Sequence, residues 1–437
     1  MTLAVDLDRY TDSAAMQALL QAQLPGFAQG GLHIDALEVH GVRRNTSRER
    51  NPCPMTLRYR LQVRDTALGR SGTQWLYAQV FRVGAGAGAF AHHERAALTP
   101  PAFGEPLVHL PALNLLLWAL PNDPGLPQLP ALLDPAQAAR VLPGGARGAL
   151  NVELLRYVPQ HRATLRYTLA DRDATRTLYA KTFSDARARD IDARFNYFWR
   201  LAQRDTNAPL VAEPLGYDAT TRTVWQAPAI GTPLLPLLFS PDGPRLMARV
   251  AQALALLHAA PLEASANATP RSVAHWLAET QRRQNKIDRI DPALGARAAH
   301  IAEAIAAHAA HPATRPLSLI HGDCHPDQFW VHEGRIVLFD FDEFTLGDPM
   351  EDIAAFVLKL EQAGAPQELA TSLVEQYALA APARFDARCL AWHLTIQGLL
   401  QVSRAFIYQQ PGWTAELERR LAACEARAAA LCTTYPS

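Results

Sequence analysis

A chain of 437 residues is long enough for two or three domains and a large buried core. Its 42 lysines plus arginines balance its 42 aspartates plus glutamates, so no overall field points to nucleic acid or to a membrane surface. Five scattered cysteines without a C-x-x-C pair, no basic-then-apolar leader in MTLAVDLDRYTDS, and an apolar stretch (Leu113 to Leu120) too short to span a bilayer predict a cytoplasmic protein.

Residues 1–35 carry apolar positions at helical spacing, Ala14, Met16, Leu19, Leu20 and Leu24, behind the capping cluster Thr11-Asp12-Ser13. An internal repeat follows. Thr56-Leu-Arg-Tyr-Arg-Leu61 matches Thr164-Leu-Arg-Tyr-Thr-Leu169, and Leu76-Tyr-Ala-Gln-Val-Phe81 matches Leu178-Tyr-Ala-Lys-Thr-Phe183. Downstream, Glu105-Pro-Leu107 matches Glu213-Pro-Leu215, and Trp118-Ala-Leu-Pro121 loosely matches Trp225-Gln-Ala-Pro228. Chance similarity of strand-rich segments accounts for one match; four in order predict a duplicated lobe, at about 36–135 and about 146–235. Leu142-Pro-Gly-Gly145 falls in the junction. Gly84-Ala-Gly-Ala-Gly88 lacks the Lys-Ser/Thr of a P-loop and the full dinucleotide fingerprint, so it reads as a flexible connection.

In the second copy, Glu153–Val158, Ala163–Leu169 and Thr177–Phe183 read as three antiparallel strands. Pro159-Gln-His-Arg162 turns between the first two, and Lys181 sits in the third. Gln79 holds the matching place in the first copy, where an amide supplies no cation. Thr223–Gly231 is an apolar strand running into a Gly-containing connection, and from Pro241 the composition turns helical and Ala/Leu-rich. His258 reads as a helix-end residue. Arg271, Arg282, Arg283, Lys286 and Arg289 read as a solvated helical face, with contact to an anionic substrate as the alternative.

The richest stretch runs from Leu319 to Ala354. Leu317-Ser-Leu-Ile320 and Arg335-Ile-Val-Leu-Phe339 read as short buried strands, each ending in a polar cluster. The first cluster is His321-Gly-Asp323 followed by Gln328; the second is Asp340-Phe-Asp342, with Gly347-Asp-Pro349 before a helical pattern. Carboxylates at two strand ends beside a carbonyl side chain suit a divalent cation and a substrate hydroxyl. Phosphoryl transfer asks a protein mainly for positioning and charge neutralisation. On that chemistry Asp323 orients the acceptor hydroxyl as base, Gln328 and Asp340 hold Mg²⁺, and His321 braces the loop. As ordinary structure the same acids are caps and turn residues, which is the preferred reading for Asp348; Asp342 stays open. His325 orders the loop rather than binding metal.

This segment resembles the aminoglycoside phosphotransferase and choline kinase superfamily, whose pattern is H-G-D-x-H-x-x-N, a strand, D-F-(D/E), then G-D-P-x-x-D. His321, Gly322, Asp323, His325, Asp340, Phe341, Asp342, Gly347, Asp348, Pro349 and Asp352 match it. Gln328 stands where most members carry Asn, and there the chain is similar to bacterial maltokinases. The resemblance implies an α+β, protein-kinase-like two-lobed fold with an antiparallel β-sheet small lobe and a mainly helical large lobe. An additional, degenerate copy of the small lobe would precede them. The implied domains are 1–145 (the degenerate copy), 146–230 (the nucleotide-binding small lobe) and 231–437 (the catalytic and acceptor-binding large lobe).

ATP and Mg²⁺ are the implied cofactors. Lys181 would grip the α- and β-phosphates, with Gln160, His161 and Arg162 lying over them, and backbone groups at Gln226, Ala227 and Pro228 would contact adenine. The helix Asp185–Gln203 lacks the expected glutamate partner for Lys181; Asp190 and Asp192 are the acids placed to substitute. In relatives the C-terminal helices line the acceptor pocket, which makes Trp392, His393, Gln397 and Arg404, with His325, candidates for substrate contact. Core packing explains Trp392 equally well.

The expected activity is transfer of the γ-phosphate of ATP to a hydroxyl of a small molecule: a sugar, an amino alcohol or an aminoglycoside-like compound. No dense acidic patch for a polycation is evident, which leans towards a sugar or another neutral metabolite. One alternative is a pseudokinase acting as a binding or assembly module. The other is a binuclear metallophosphatase, suggested by Gly322-Asp-Cys-His325 but lacking the required Asn-His pair.

Overall fold

The computed structural model describes residues 8–44, 53–82, 84–92, 98–145, 148–170, 175–261, 269–289, 291–408 and 412–435. Residues 1–7 of the start examined for a leader lie outside them. The chain divides into two compact units. The first runs to Arg176 and includes Lys181–Ser184 with a short stretch from Ile407; the second holds the rest.

In the first unit, α1 (Asp8–Thr11) and α2 (Ser13–Gln23) precede β1 (Leu32–Arg44), β2 (Met55–Asp65) and β3 (Arg70–Val80). Asp12 caps α2 by accepting from the Ala15 amide at 3.0 Å, and Met16 and Leu20 are its buried face. Gln21 ties the helix to β1: its amide donates to the Phe27 and Leu32 carbonyls and its oxygen accepts from Ile34 N–H. Along β2 burial alternates, with Met55, Leu57, Tyr59, Leu61 and Val63 inward and Thr56, Arg58, Arg60 and Gln62 outward. That period of two explains why the repeat is visible in the sequence.

Next come α3 (Ala85–Ala91), β4 (Leu107–Leu110), β5 (Leu115–Ala119), α4 (Leu129–Leu133) and α5 (Pro135–Val141). Gly84–Gly88 is therefore not a flexible connection. Gly84 has φ 81°, a left-handed lead-in that suits glycine, and Gly86 is buried against His109, where a Cβ would lie 2.8 Å from the ring nitrogen. Small residues let this short helix approach β4 closely.

β6 (Ala149–Val158), β7 (Arg162–Ala170) and β8 (Thr175–Phe183) follow, and the boundary between the units passes through β8, whose Thr177–Ala180 count with the second. With β9 (Pro214–Asp218) and β10 (Thr223–Gln226) they form a sheet of order β6-β7-β8-β10-β9. The first sheet has order β1-β2-β3-β5-β4, so both run first, second, third, fifth, fourth. The repeated segments occupy equivalent places: β2 and β7, β3 and β8, the approach to β4 and β9, and the ends of β5 and β10. Matched tyrosines behave alike. Tyr59 donates its hydroxyl to the Tyr10 carbonyl at 2.9 Å, and Tyr167 to the Leu132 carbonyl at 2.8 Å, in each case a helical residue preceding its sheet.

The second unit is mainly helical: α6 (Arg187–Arg204), α7 (Leu234–Leu238), α8 (Gly243–His258), α9 (Val273–Asp288), α10 (Pro292–Ala307), α11 (Pro349–Gln362), α12 (Gln367–Ala380), α13 (Ala387–Tyr408) and α14 (Trp413–Thr434). Between them lie β11 (Thr232–Pro233), β12 (Ser318–Ile320), β13 (Phe329–His332), β14 (Arg335–Leu338) and β15 (Thr345–Gly347). These strands form a sheet β11-β13-β14 and an antiparallel pair β12-β15. Trp276, Ile301, Ile305, Trp392, Ile396, Leu399 and Leu421 build the core shared by α9, α10, α13 and α14. Among the described residues no helix is long and apolar enough to cross a membrane.

Tyr59→Phe and Tyr167→Phe each leave a buried carbonyl without its donor. Each is expected to cost roughly 1–2 kcal/mol, read as a lower thermal midpoint. No change in either variant would mean that water replaces the lost donor.

Candidate active site

β12 ends at Ile320, opposite Thr345 of β15, and delivers His321-Gly-Asp323; β14 ends at Leu338 and delivers Asp340-Phe-Asp342. The Phe339 amide donates to the Gln328 carbonyl at 2.9 Å, which brings the two exits together. Gln328 Nε2 lies 3.4 Å from Asp340 Oδ2 and 3.2 Å from His325 Nε2. His325 Nε2 is 3.8 Å from Asp323 Oδ2. Asp323, His325, Gln328 and Asp340, placed by separate turns, thus form one polar group. Asp340 has φ 56°, a left-handed backbone that costs a non-glycine residue roughly 1–2 kcal/mol. Such strain at a strand end is a common mark of a working site.

The loop is held from behind. Asp352, fully buried on α11, accepts from the His321 amide at 2.6 Å and from the Gly322 amide at 2.9 Å. Burial alone would push its carboxyl up, yet hydrogen bonds and charge from His258 and His321 hold it below the usual carboxylate range. His258, the last residue of α8, bridges Asp352 and the Tyr377 hydroxyl at 3.1 and 2.7 Å. Gly322 has φ 77°, and a Cβ there would sit 2.3 Å from the Glu343 carbonyl oxygen, so only glycine fits. His321 is buried against Phe329 and Phe344; its Nε2–H donates to the Phe339 carbonyl at 2.9 Å.

Arg271 adds a second clamp. Its guanidinium donates to the Gly322 carbonyl at 2.7 Å, to Glu351 at 2.5 Å and to Glu343 at 3.1 Å. Trp276 Nε1–H donates to the other Glu351 oxygen at 3.2 Å. Arg271 is therefore no member of a solvated helical face; it lies just ahead of α9, turned inward. Phe341 is fully buried against Phe195 and Phe198 of α6, with ring centroids 4.4 and 5.7 Å away. Asp348 caps α11 by accepting from Met350 N–H at 2.9 Å and pairs with Arg315 at 2.8 Å, a structural role.

Above this frame Asp323 keeps about half of its side chain exposed (48%), whereas His325 is mostly covered (16%). Burial lowers the His325 pKa against the opposing pull of the Asp323 and Asp327 carboxylates. Burial also pushes the Cys324 thiol far up, which makes it inert. Lys359 of α11 and Arg404 of α13 are half-buried and make no hydrogen bond or ion pair from their side chains among the described residues. Lys359, its pKa lowered first by burial and then by Arg404, lies within electrostatic reach of Asp323 and Asp327.

Two of the expected substrate contacts fail. Trp392 is fully buried and donates its indole N–H to the Ile305 carbonyl at 2.9 Å. His393 is buried beside it, edge-on to Trp276 and Trp392, and its pKa is pushed down to about 4 by burial. Both belong to the helical core, while Gln397 on the same helix is half-buried. In the first unit, Lys181 is half-buried with Nζ 5.8 Å from the Phe183 ring centroid. His161 and Arg162 follow Gln160, whose amide is engaged by the Asp123 carboxylate at 2.8 Å and is not open to a phosphate. The Ala227 amide donates to the Glu213 carbonyl at 2.9 Å and so is not open to a base.

Residues 163–392, more than half of the chain, match the phosphotransferase enzyme family, and the chain belongs to that family. Its members include small-molecule kinases. A search of curated proteins found no match. Among solved structures, a thermostable mutant of aminoglycoside phosphotransferase APH(4)-Ia is 14% identical, covering 67% of this chain and 97% of its own, with a TM-score of 0.46. A choline/ethanolamine kinase family protein from Mesorhizobium loti is 18% identical over 69% of this chain and 96% of its own, with a TM-score of 0.43. An amicoumacin kinase solved with AMP-PNP and Ca²⁺ is 13% identical over 63% and 88%, with a TM-score of 0.45.

Asp352→Ala strands two loop amides and His258 in the interior, and is expected to cost roughly 3–5 kcal/mol. Hydrogen exchange at His321 and Gly322 should rise sharply; unchanged protection would show that another group holds the loop. His393, folded near 4 against an ordinary 6.5, stays neutral while the unfolded chain takes up a proton. Stability therefore falls as pH drops from about 6.5 to about 4. His393→Leu should flatten that fall in the thermal midpoint; an unaltered profile would assign the acid loss to other groups.

Proposed function

We propose that this phosphotransferase moves the γ-phosphate of ATP to a hydroxyl of a small molecule, with Asp323 as the base. The supporting observation is the convergence of Asp323, Gln328 and Asp340 on a loop locked from behind by Asp352. Asp323 is half-exposed and so open to an incoming hydroxyl, while its backbone neighbours are immobilised. A carboxylate in that position orients the nucleophile and accepts its proton as the new oxygen–phosphorus bond forms and the bond from the γ-phosphorus to the bridging oxygen breaks, with ADP leaving.

Gln328 and Asp340 fit a hard divalent ion such as Mg²⁺: they are adjacent and offer oxygen donors. The Gln328 amide nitrogen faces Asp340, so turning the amide end over end would present its oxygen instead. When bound, the ion would neutralise phosphate charge. Lys181, His161, Arg162 and the side chain of Gln160 are the proposed phosphate contacts, and backbone groups at Gln226, Ala227 and Pro228 the adenine contacts.

The domains proposed for this activity are 146–230 as the nucleotide-binding lobe and 231–437 as the catalytic lobe. The segment 1–145 is a degenerate copy of the small lobe. Shared strand order supports the duplication. So does Gln79, which occupies the lysine's place and accepts from Trp118 Nε1–H at 3.0 Å, a bond that an ammonium is unable to make. Five free cysteines suit a reducing compartment, so a cytoplasmic placement is proposed. Lys359, within electrostatic reach of Asp323, disfavours a polycationic acceptor and favours a neutral or acidic one.

Asp323→Ala should lower turnover at least about a hundredfold while MgATP binding persists. The check is ATP consumption by the full chain against a panel of neutral, acidic and polycationic hydroxyl compounds. Near-wild-type turnover in the variant would exclude the base, and a preference for polycations would overturn the acceptor assignment.

A further inference from the structure

The turn between β6 and β7 is only Pro159-Gln160-His161, since Val158 and Arg162 are already paired. Gln160 carries φ 62°, a conformation that a side-chain-bearing residue leaves unless something holds it. What holds it comes from the far side of the junction, the segment between β5 and α4. Asp123 Oδ2 accepts from the Gln160 amide at 2.8 Å and from the Tyr157 hydroxyl at 2.5 Å. Its other oxygen accepts from the Gly125 amide at 2.7 Å, which fixes the carboxylate's orientation. Asp123 and Tyr157 are both about 5% exposed, so these charge-assisted bonds are shielded from water. Gly125 lies directly against the turn: a Cβ there would stand 2.5 Å from Gln160 Cα and 2.6 Å from its carbonyl oxygen.

The same segment reaches the lysine's strand. Gln128, also buried, donates its amide to Thr182 Oγ1 at 2.7 Å and to the Phe183 carbonyl at 2.9 Å, immediately after Lys181. Asp123, Gly125 and Gln128 of the N-terminal half thus grip the two elements assigned above to phosphate contact. A turn tip left to itself samples many conformations; one tied through its central amide does not.

We infer that Asp123 is a positioning residue that pre-shapes the β6–β7 turn for the nucleotide phosphates, which makes the N-terminal lobe a working part of the nucleotide site. This rests on the kinase function proposed above. Asp123 does not touch the nucleotide. It supplies the fixed acceptor that keeps Gln160 left-handed and aims His161 and Arg162.

The test is MgATP titration by calorimetry on the full chain, wild type against Asp123→Asn and Gly125→Ala, with hydrogen exchange across 157–162. Asp123→Asn keeps the shape and one acceptor oxygen, so it should fold; Gly125→Ala perturbs the turn without altering charge. The expected result is MgATP binding weakened about tenfold or more in both variants, faster exchange at the turn, and a raised KM for ATP with kcat little changed. A role confined to packing would lower the thermal midpoint and leave affinity and KM untouched, and that outcome overturns the inference. If the wild type itself binds no MgATP, the kinase function falls and the inference with it; if the wild type binds and both variants bind equally, the inference alone falls.

Discussion

One buried carboxylate carries the second unit. Asp352 sits in a low-dielectric interior, where an unpaired charge would be costly, and it is stable there because two amides and His258 surround it. In return it fixes the backbone of His321 and Gly322 to the start of α11. The next residue, Asp323, is thereby free to face solvent without being free to move. Rigid support under an exposed tip is the condition that a base needs if it is to meet a hydroxyl without reorganising. Arg271 reinforces this from the other side by holding the Gly322 carbonyl.

The first unit uses the same device at another turn. There a carboxylate, Asp123, also accepts from a backbone amide at a turn, and a glycine, Gly125, again makes the close approach possible, as Gly322 does below Glu343. The two five-stranded sheets share strand order and a matched tyrosine anchor, yet they differ where chemistry would be done. Gln79 spends its oxygen on an indole, whereas Lys181 supplies a cation.

Much of this was legible in order along the chain. The β2/β7 and β3/β8 repeats were visible because strand burial has a period of two, and the helix after Asp348 because capping is a local rule. The convergence of Gln328 with Asp340 followed from two short strands ending in polar clusters. Composition misled at Gly84–Gly88, since glycines that suggest looseness were there to admit His109. Helical spacing put Trp392 and His393 near one face but did not say that the face pointed into the core.

The amino-acid sequence by itself determined most of the elements, their order and the polar clusters at the strand ends, because those depend on neighbours a few positions away. Only the tertiary structure decided which groups hold them still. Asp123 with Gln160, Asp352 with His321, and Arg271 with Gly322 are bonds from a side chain to a distant backbone. Such bonds have no period and no preferred spacing, since any acid or arginine brought near an unpaired peptide group will serve.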